Sequence, residues 1–213
     1  MNRLTVDRLN FLKSWLKPAI AVAMLAYSLP SSADLKLTKT IGEASLIDSI
    51  TDLAASSQGS TYVLDGAAKK VHKINSAGQN LLSWDESDGL SLATNQLEQV
   101  YIRTTSGIKK LTKNGKLLKK ISLNSSSVDA AYAKDVAIDK NNYVYINMGK
   151  AIHVYDSDLV FIKTIKTYTS SSAVKFNLIR TIAFNKNNNL FVQTNVAILQ
   201  LDENNKLINR LLL

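Results

Sequence analysis

Hydrophobic and polar positions along the chain recur in blocks. Four segments of eleven residues share one order without gaps: LAASSQGSTYV (Leu53 to Val63), LATNQLEQVYI (Leu92 to Ile102), VAIDKNNYVYI (Val136 to Ile146) and IAFNKNNNLFV (Ile182 to Val192). Each sets an aliphatic residue before an alanine: Ala54, Ala93, Ala137, Ala183. A small polar residue stands two positions on (Ser56, Asn95, Asp139, Asn185), and an aromatic six positions after that (Tyr62, Tyr101, Tyr145, Phe191). The alanines are 39, 44 and 46 residues apart, a period that marks a repeat architecture.

A second module follows each copy: VHKINSAGQNLL, IKKLTKNGKLLKKI, IHVYDSDLVFIKTI and ILQLDENNKLINRL. Two apolar runs flank a turn, NSAG, TKNG, DSDL or DENN. Asn, Thr or Asp in first place and Gly or Asn in fourth suit a type I turn closed by a left-handed residue, and only Leu159 departs from this. Such a turn joins antiparallel strands through a bulge. Each unit therefore reads as strand, turn, strand, hairpin, with the alanine where a strand approaches its neighbours closely. Sustained 3.6-residue periodicity, the mark of a helical solenoid, is absent. The pattern predicts an all-β fold, a β-propeller of four-stranded antiparallel blades. Its units lie near 47–84, 86–122, 132–166 and 178–213.

The repeat resembles that of the NHL family of β-propellers: aliphatic-Ala-aliphatic-Asp, a polar turn, aliphatic-Tyr-Val, then a hairpin. Val136 to Ile165 is the copy most like it. The chain lacks the Pro-x-Gly that usually introduces the family's repeats and the Arg that often starts their third strand. The resemblance covers Leu53 to Leu213 and implies fold rather than chemistry. It also implies a count, since such rings commonly have six blades and four units are visible. Leu35 to Ile41 (LKLTKTI) reads as one further outer strand. Either four blades close the ring or the ring is incomplete; the chain ends on a strand, LINRLLL, which favours the truncated ring and self-association.

The first 33 residues read as a signal peptide: Arg3, Arg8, Lys13 and Lys17, then the apolar Ala19 to Leu29, then Ser31 and Ala33 before the expected cut. The apolar run is too short to span a bilayer. The predicted destination is bacterial export, periplasmic or extracellular. Residues 34–213 form the propeller domain, with a net charge that falls from +9 to +6 when four bases and Asp7 are removed. The chain has no cysteine, hence no disulfide framework or lipid-anchor site.

Candidate chemistry is sparse. There is no serine elbow, HExxH or phosphate loop. His72 and His153 occupy equivalent strand positions in separate units, too far apart to share a metal, and read as solvated or half-packed strand residues. The column Ser56, Asn95, Asp139, Asn185 follows each first strand and offers oxygen ligands for Ca²⁺, but the same residues start turns. Calcium-dependent lactonases related to the family use such a site with more carboxylates. WDESDG (Trp84 to Gly89) reads as an exposed acidic linker, and Asn124 begins an N-x-S sequon.

GIKKLTKNGKLLKK (Gly107 to Lys120) aligns with the hairpins, with Asn114-Gly115 at its turn. A three-residue turn pairs Leu111 with Leu117 and Lys109 with Lys119; a two-residue turn pairs Lys109 with Lys120 and Lys110 with Lys119. Like charges oppose in both registers. Lys109, Lys110, Lys119 and Lys120 either protect a sheet edge or meet a polyanion such as acidic polysaccharide or lipopolysaccharide. Export and only three arginines after residue 33 argue against nucleic acid. The sequence thus points to a binding or scaffold module for protein or glycan partners, without a cofactor. A lactonase-like or lyase-like enzyme on the same fold is the alternative.

Overall fold

The computed structural model describes residues 47–123 and 134–213. The predicted leader, its cleavage site, the Leu35–Ile41 strand and the Asn124 sequon lie outside them. The described residues form a four-bladed β-propeller without helices. Blade 1 is β1 (Ile50–Ala55), β2 (Thr61–Asp65), β3 (Lys70–Ile74) and β4 (Asn80–Asp85). Blade 2 is β5 (Gly89–Thr94), β6 (Val100–Thr104), β7 (Gly107–Leu111) and β8 (Leu117–Ser122). Blade 3 is β9 (Val136–Ile138), β10 (Val144–Asn147), β11 (Ile152–Tyr155) and β12 (Phe161–Ile165). A small hairpin, β13 (Thr167–Thr169) and β14 (Ala173–Lys175), precedes blade 4: β15 (Ile179–Phe184), β16 (Leu190–Thr194), β17 (Ala197–Leu201) and β18 (Leu207–Leu212). Every blade is an antiparallel meander in chain order.

Register explains the repeat. Each alanine lies directly across from its unit's aromatic: Ala54 from Tyr62, Ala93 from Tyr101, Ala137 from Tyr145, Ala183 from Phe191. A larger side chain would meet the ring, because directly opposed residues have Cβ atoms only about 5 Å apart. Tyr62 and Tyr101 are wholly buried, and each reaches the following blade. The Tyr62 hydroxyl donates to the Lys113 carbonyl (3.2 Å) and that of Tyr101 to the Ser157 carbonyl (2.8 Å).

Eight short turns, two per blade, share one construction. The residue in fourth place donates its N–H to the carbonyl of the first, as Gly115 does to Thr112 and Asn205 to Asp202. That fourth residue has a positive φ throughout: Gly59, Gly78, Glu98, Gly115, Asn142, Leu159, Asn188 and Asn205. In a meander the β1–β2 and β3–β4 connections fall at the same end of the sheet, so all eight turns crowd one face of the propeller. Leu159 keeps φ 58° because its side chain is buried in the core between blades 2 and 3, which offsets the roughly 1–2 kcal/mol of that conformation.

The apolar core is divided among blade contacts. Tyr62, Leu64 and Val71 pack on Leu92, Val100 and Ile102. Tyr101 and Ile108 pack on Val136, Val144 and Ile146. Ile152 and Val154 pack on Ile179, Ile182 and Val192, with Phe176 from the β14 side. The three clusters join blades 1 to 2, 2 to 3 and 3 to 4.

Candidate binding site

The charged residues of the β7–β8 hairpin lie differently from a solvated patch. Leu111 pairs with Leu117 next to the turn, and a bulge between Lys110 and Leu111 then sets Lys109 opposite Lys120 and Lys110 opposite Lys119. The lysines thus follow the two-residue register; of the three-residue register only the Leu111–Leu117 pair occurs, and Lys109 does not face Lys119. Lys109 forms ion pairs with Glu86 and Asp88, each 2.8 Å away. Glu86 is buried, so WDESDG is an internal ion-pairing segment at that residue rather than an exposed linker. Burial raises the Glu86 carboxyl, while Lys109 holds that of Asp88 low. Lys110 is buried, 2.8 Å from Asp158. Lys119 and Lys120 face outward, with Lys119 donating to the Asp158 carbonyl oxygen.

Lys110 belongs to a repeated arrangement. It pairs across the strands with Tyr101, and its ammonium lies 5.9 Å from the centre of that ring. Its acid, Asp158, comes from a turn of the next blade. One interface earlier, Lys73 pairs with Tyr62, lies 5.3 Å from the ring centre, and meets Glu98 of the next blade at 3.5 Å. Burial works against the charge on Lys73, yet Tyr62 and Glu98 hold its pKa above the ordinary value. Glu98 is held low by Ser56 and Lys73 despite its own burial.

At the third interface the lysine is missing. Val154 occupies its position opposite Tyr145. A cavity of about 260 Å³ opens there between blades 3 and 4. Its walls include Tyr143, Tyr145, Phe184 and Val154. Tyr145 and Phe184 meet edge to face at 4.7 Å. The turn that supplies Asp158 in blade 3 carries Asp202 and Glu203 in blade 4, and both line the cavity. Asp139 lines it from blade 3. Burial, then the nearby Asp139, pushes the Tyr145 hydroxyl up to about 12. Lys163 stands exposed at the rim.

The proposed oxygen column is spread around the turns. Asn95 Oδ1 accepts from the N–H groups of Leu97 and Gln99, Asp139 Oδ1 from Asn141 and Tyr143, and Asn185 Oδ1 from Asn187 and Asn189. Ser56 does the same with Gln58 and Ser60. Of the four, Asp139 is the one that borders the cavity. Among the described residues, no three His, Cys, Asp or Glu side chains come together as a metal site. His72 is buried rather than half-packed, with Nδ1 2.9 Å from Ser83 Oγ, while His153 packs against Phe161. The cavity itself escaped the reading of the sequence. The aligned column Lys73, Lys110, Val154, Gln200 held the signal, because a lost lysine opposite a retained tyrosine leaves space.

No family model matches the chain, and no relative was found among curated proteins. Solved structures do match. Hydrazine synthase of Kuenenia stuttgartiensis superposes with a TM-score of 0.59 at 8% identity over 84% of this chain and 53% of its own. Virginiamycin B lyase from Staphylococcus aureus gives 0.54 at 17% identity over 76% and 54%. BamB from Moraxella catarrhalis gives 0.52 at 13% over 76% and 53%. The chain thus spans about half the length of these three structures. At such identities the likeness extends to the fold, which is that of the β-propellers among them.

Proposed function

We propose that this is an exported, non-catalytic propeller that serves as a binding or scaffold module for a protein partner. The observation that carries this reading is apolar exposure on the outermost strand of every blade. Leu81 on β4, Leu117 and Leu118 on β8, Phe161 and Ile162 on β12, and Ile208, Leu211 and Leu212 on β18 all present large side chains to solvent. Scattered single residues would be ordinary; a band repeated on four edges marks an interaction surface. An outermost strand also offers unpaired backbone groups to an added strand. The resemblance of the repeat to NHL propellers and the leader-like N-terminus supply the rest of the reading.

The test places a photo-crosslinking amino acid at Leu118 or Phe161 in the host cell, with Gln58 on the turn face as control. The rim positions should give one discrete adduct containing a second protein, and Phe161→Lys should abolish the adduct from Leu118. Adducts equal to those of the control, or none, defeat the proposal. Mass spectrometry of the same exported material should show an N-terminus at Asp34; Met1 retained in a membrane pellet would defeat the export half.

A further inference from the structure

We propose that the cavity between blades 3 and 4 binds an alkylammonium group, in the place that Lys73 and Lys110 fill at the other two blade interfaces. The protein supplies its own precedent. At interfaces 1–2 and 2–3 an ammonium stands 5.3 and 5.9 Å from a tyrosine ring centre, with a carboxylate of the next blade at 3.5 and 2.8 Å. At interface 3–4 the tyrosine remains as Tyr145 and Val154 replaces the ammonium; the positions of Glu98 and Asp158 carry Asn188 and Asn204, while Asp202 and Glu203 of the blade 4 turn bring carboxylates to the cavity. The space left, about 260 Å³, falls below the roughly 300–1,000 Å³ of pockets for drug-sized ligands and suits a single side chain or small amine.

Two further differences set this interface apart. Tyr62 and Tyr101 each donate their hydroxyl to a turn carbonyl of the next blade, whereas Tyr145, among the described residues, makes no corresponding bond. Phe184 stands where the other interfaces have Thr94 and Ile138, so a second ring joins Tyr145, with Tyr143 beside them. Aromatic faces attract cations, and a desolvated cation gains more from them than an exposed one. Three carboxylates, Asp139, Asp202 and Glu203, outnumber the one base at the rim, Lys163. An alkylammonium matches all of these: its stem lies on Val154 and Phe184, its charge between Tyr145 and the blade 4 turn.

The cavity adjoins the outer rim at Ile162, but the crosslinking positions Leu118 and Phe161 do not line it, so the two proposals can fail separately. Calorimetric titration of the full-length protein at low salt tests it with three probes: n-butylammonium, Nα-acetyl-lysine amide and the uncharged Nα-acetyl-norleucine amide. Both cations should saturate one site with a Kd of about 1 mM, and the norleucine compound should bind at least about tenfold more weakly. Tighter binding of the lysine amide identifies a polypeptide lysine as the source; its exclusion while butylammonium binds identifies a free amine. Val154→Lys should refill the cavity, abolish butylammonium binding and raise Tm. Should that variant not fold, Glu203→Gln, an exposed change, should weaken binding several-fold, and Lys163→Gln should strengthen it. Equal binding of the norleucine compound, no saturation by any probe, or indifference to both the Glu203 and Lys163 changes overturns the proposal.

Discussion

Single residues decide more here than their side chains suggest. Gly115 closes the β7–β8 turn at φ 82°, and a Cβ there would come within 2.5 Å of the Trp84 ring of blade 1. The residue thus serves both the turn and the blade contact. Asp135 is a second case. Its carboxylate accepts from the N–H groups of Val136 (3.0 Å) and Ile182 (2.7 Å) and from the Thr181 hydroxyl, tying the inner strands of blades 3 and 4. Burial outweighs these bonds and pushes its carboxyl up to about 6. The folded protein therefore holds a proton that the unfolded chain has released between about pH 4 and 6. The stabilisation from this group is complete below the unfolded value and fades as pH rises through 6. Urea denaturation of Asp135→Asn from pH 4 to 7 should lack a pH-dependent loss of about 2–3 kcal/mol that the parent shows. An identical slope in both proteins would show that Asp135 does not titrate there. The turn residues were legible in sequence at Gly78, Gly115 and Asn205, whose types favour the left-handed region. Leu159 was not, because what holds it there is burial contributed by two blades. Asp135 was equally hidden, since its partners lie 46 and 47 positions away.

Among elements, the β7–β8 hairpin shows how one sequence pattern divides into two roles. Alternation sends Lys109 and Lys110 to opposite faces, yet each meets acids, the first within its own blade's entry segment and the second across the blade contact. Lys119 and Lys120 remain outside. Lys110→Gln or Lys109→Gln should cost about 1–3 kcal/mol in urea denaturation, because each leaves a partly buried acid or ring contact unmatched. Lys119→Gln with Lys120→Gln should stay within about 0.5 kcal/mol. Equal costs for the two pairs would mean that the ion pairs contribute nothing. The hairpin and its turn followed from the spacing of Leu111, Asn114 and Leu117. The pairing of its lysines did not, because Asp158 lies 48 residues away and only the blade stacking brings it in.

For the molecule as a whole, stability resides in contacts between successive blades, as in other repeat proteins. Ile146 is fully buried in the middle contact. Ile146→Ala should lower stability by about 2–5 kcal/mol and should weaken hydrogen-exchange protection in blades 2 and 3 together. Loss confined to β10 would argue against this shared core. The four-fold repeat made this architecture readable, since alanine and aromatic columns encode a sheet packing that recurs. The β13–β14 hairpin had no such repeat to betray it. Nor did the cavity, which is visible only as a departure from two filled precedents.

The tyrosine clasp sets a timetable for a chain that emerges from one end. The Tyr62 hydroxyl meets its acceptor 51 residues later and that of Tyr101 meets its own 56 residues later. A blade newly delivered by a ribosome or a translocation pore therefore waits, its tyrosine hydroxyl without its acceptor, until most of the next blade has followed. Assembly has a direction, and the interval in which each unfinished blade can be captured by a chaperone or another chain is set by the length of the repeat.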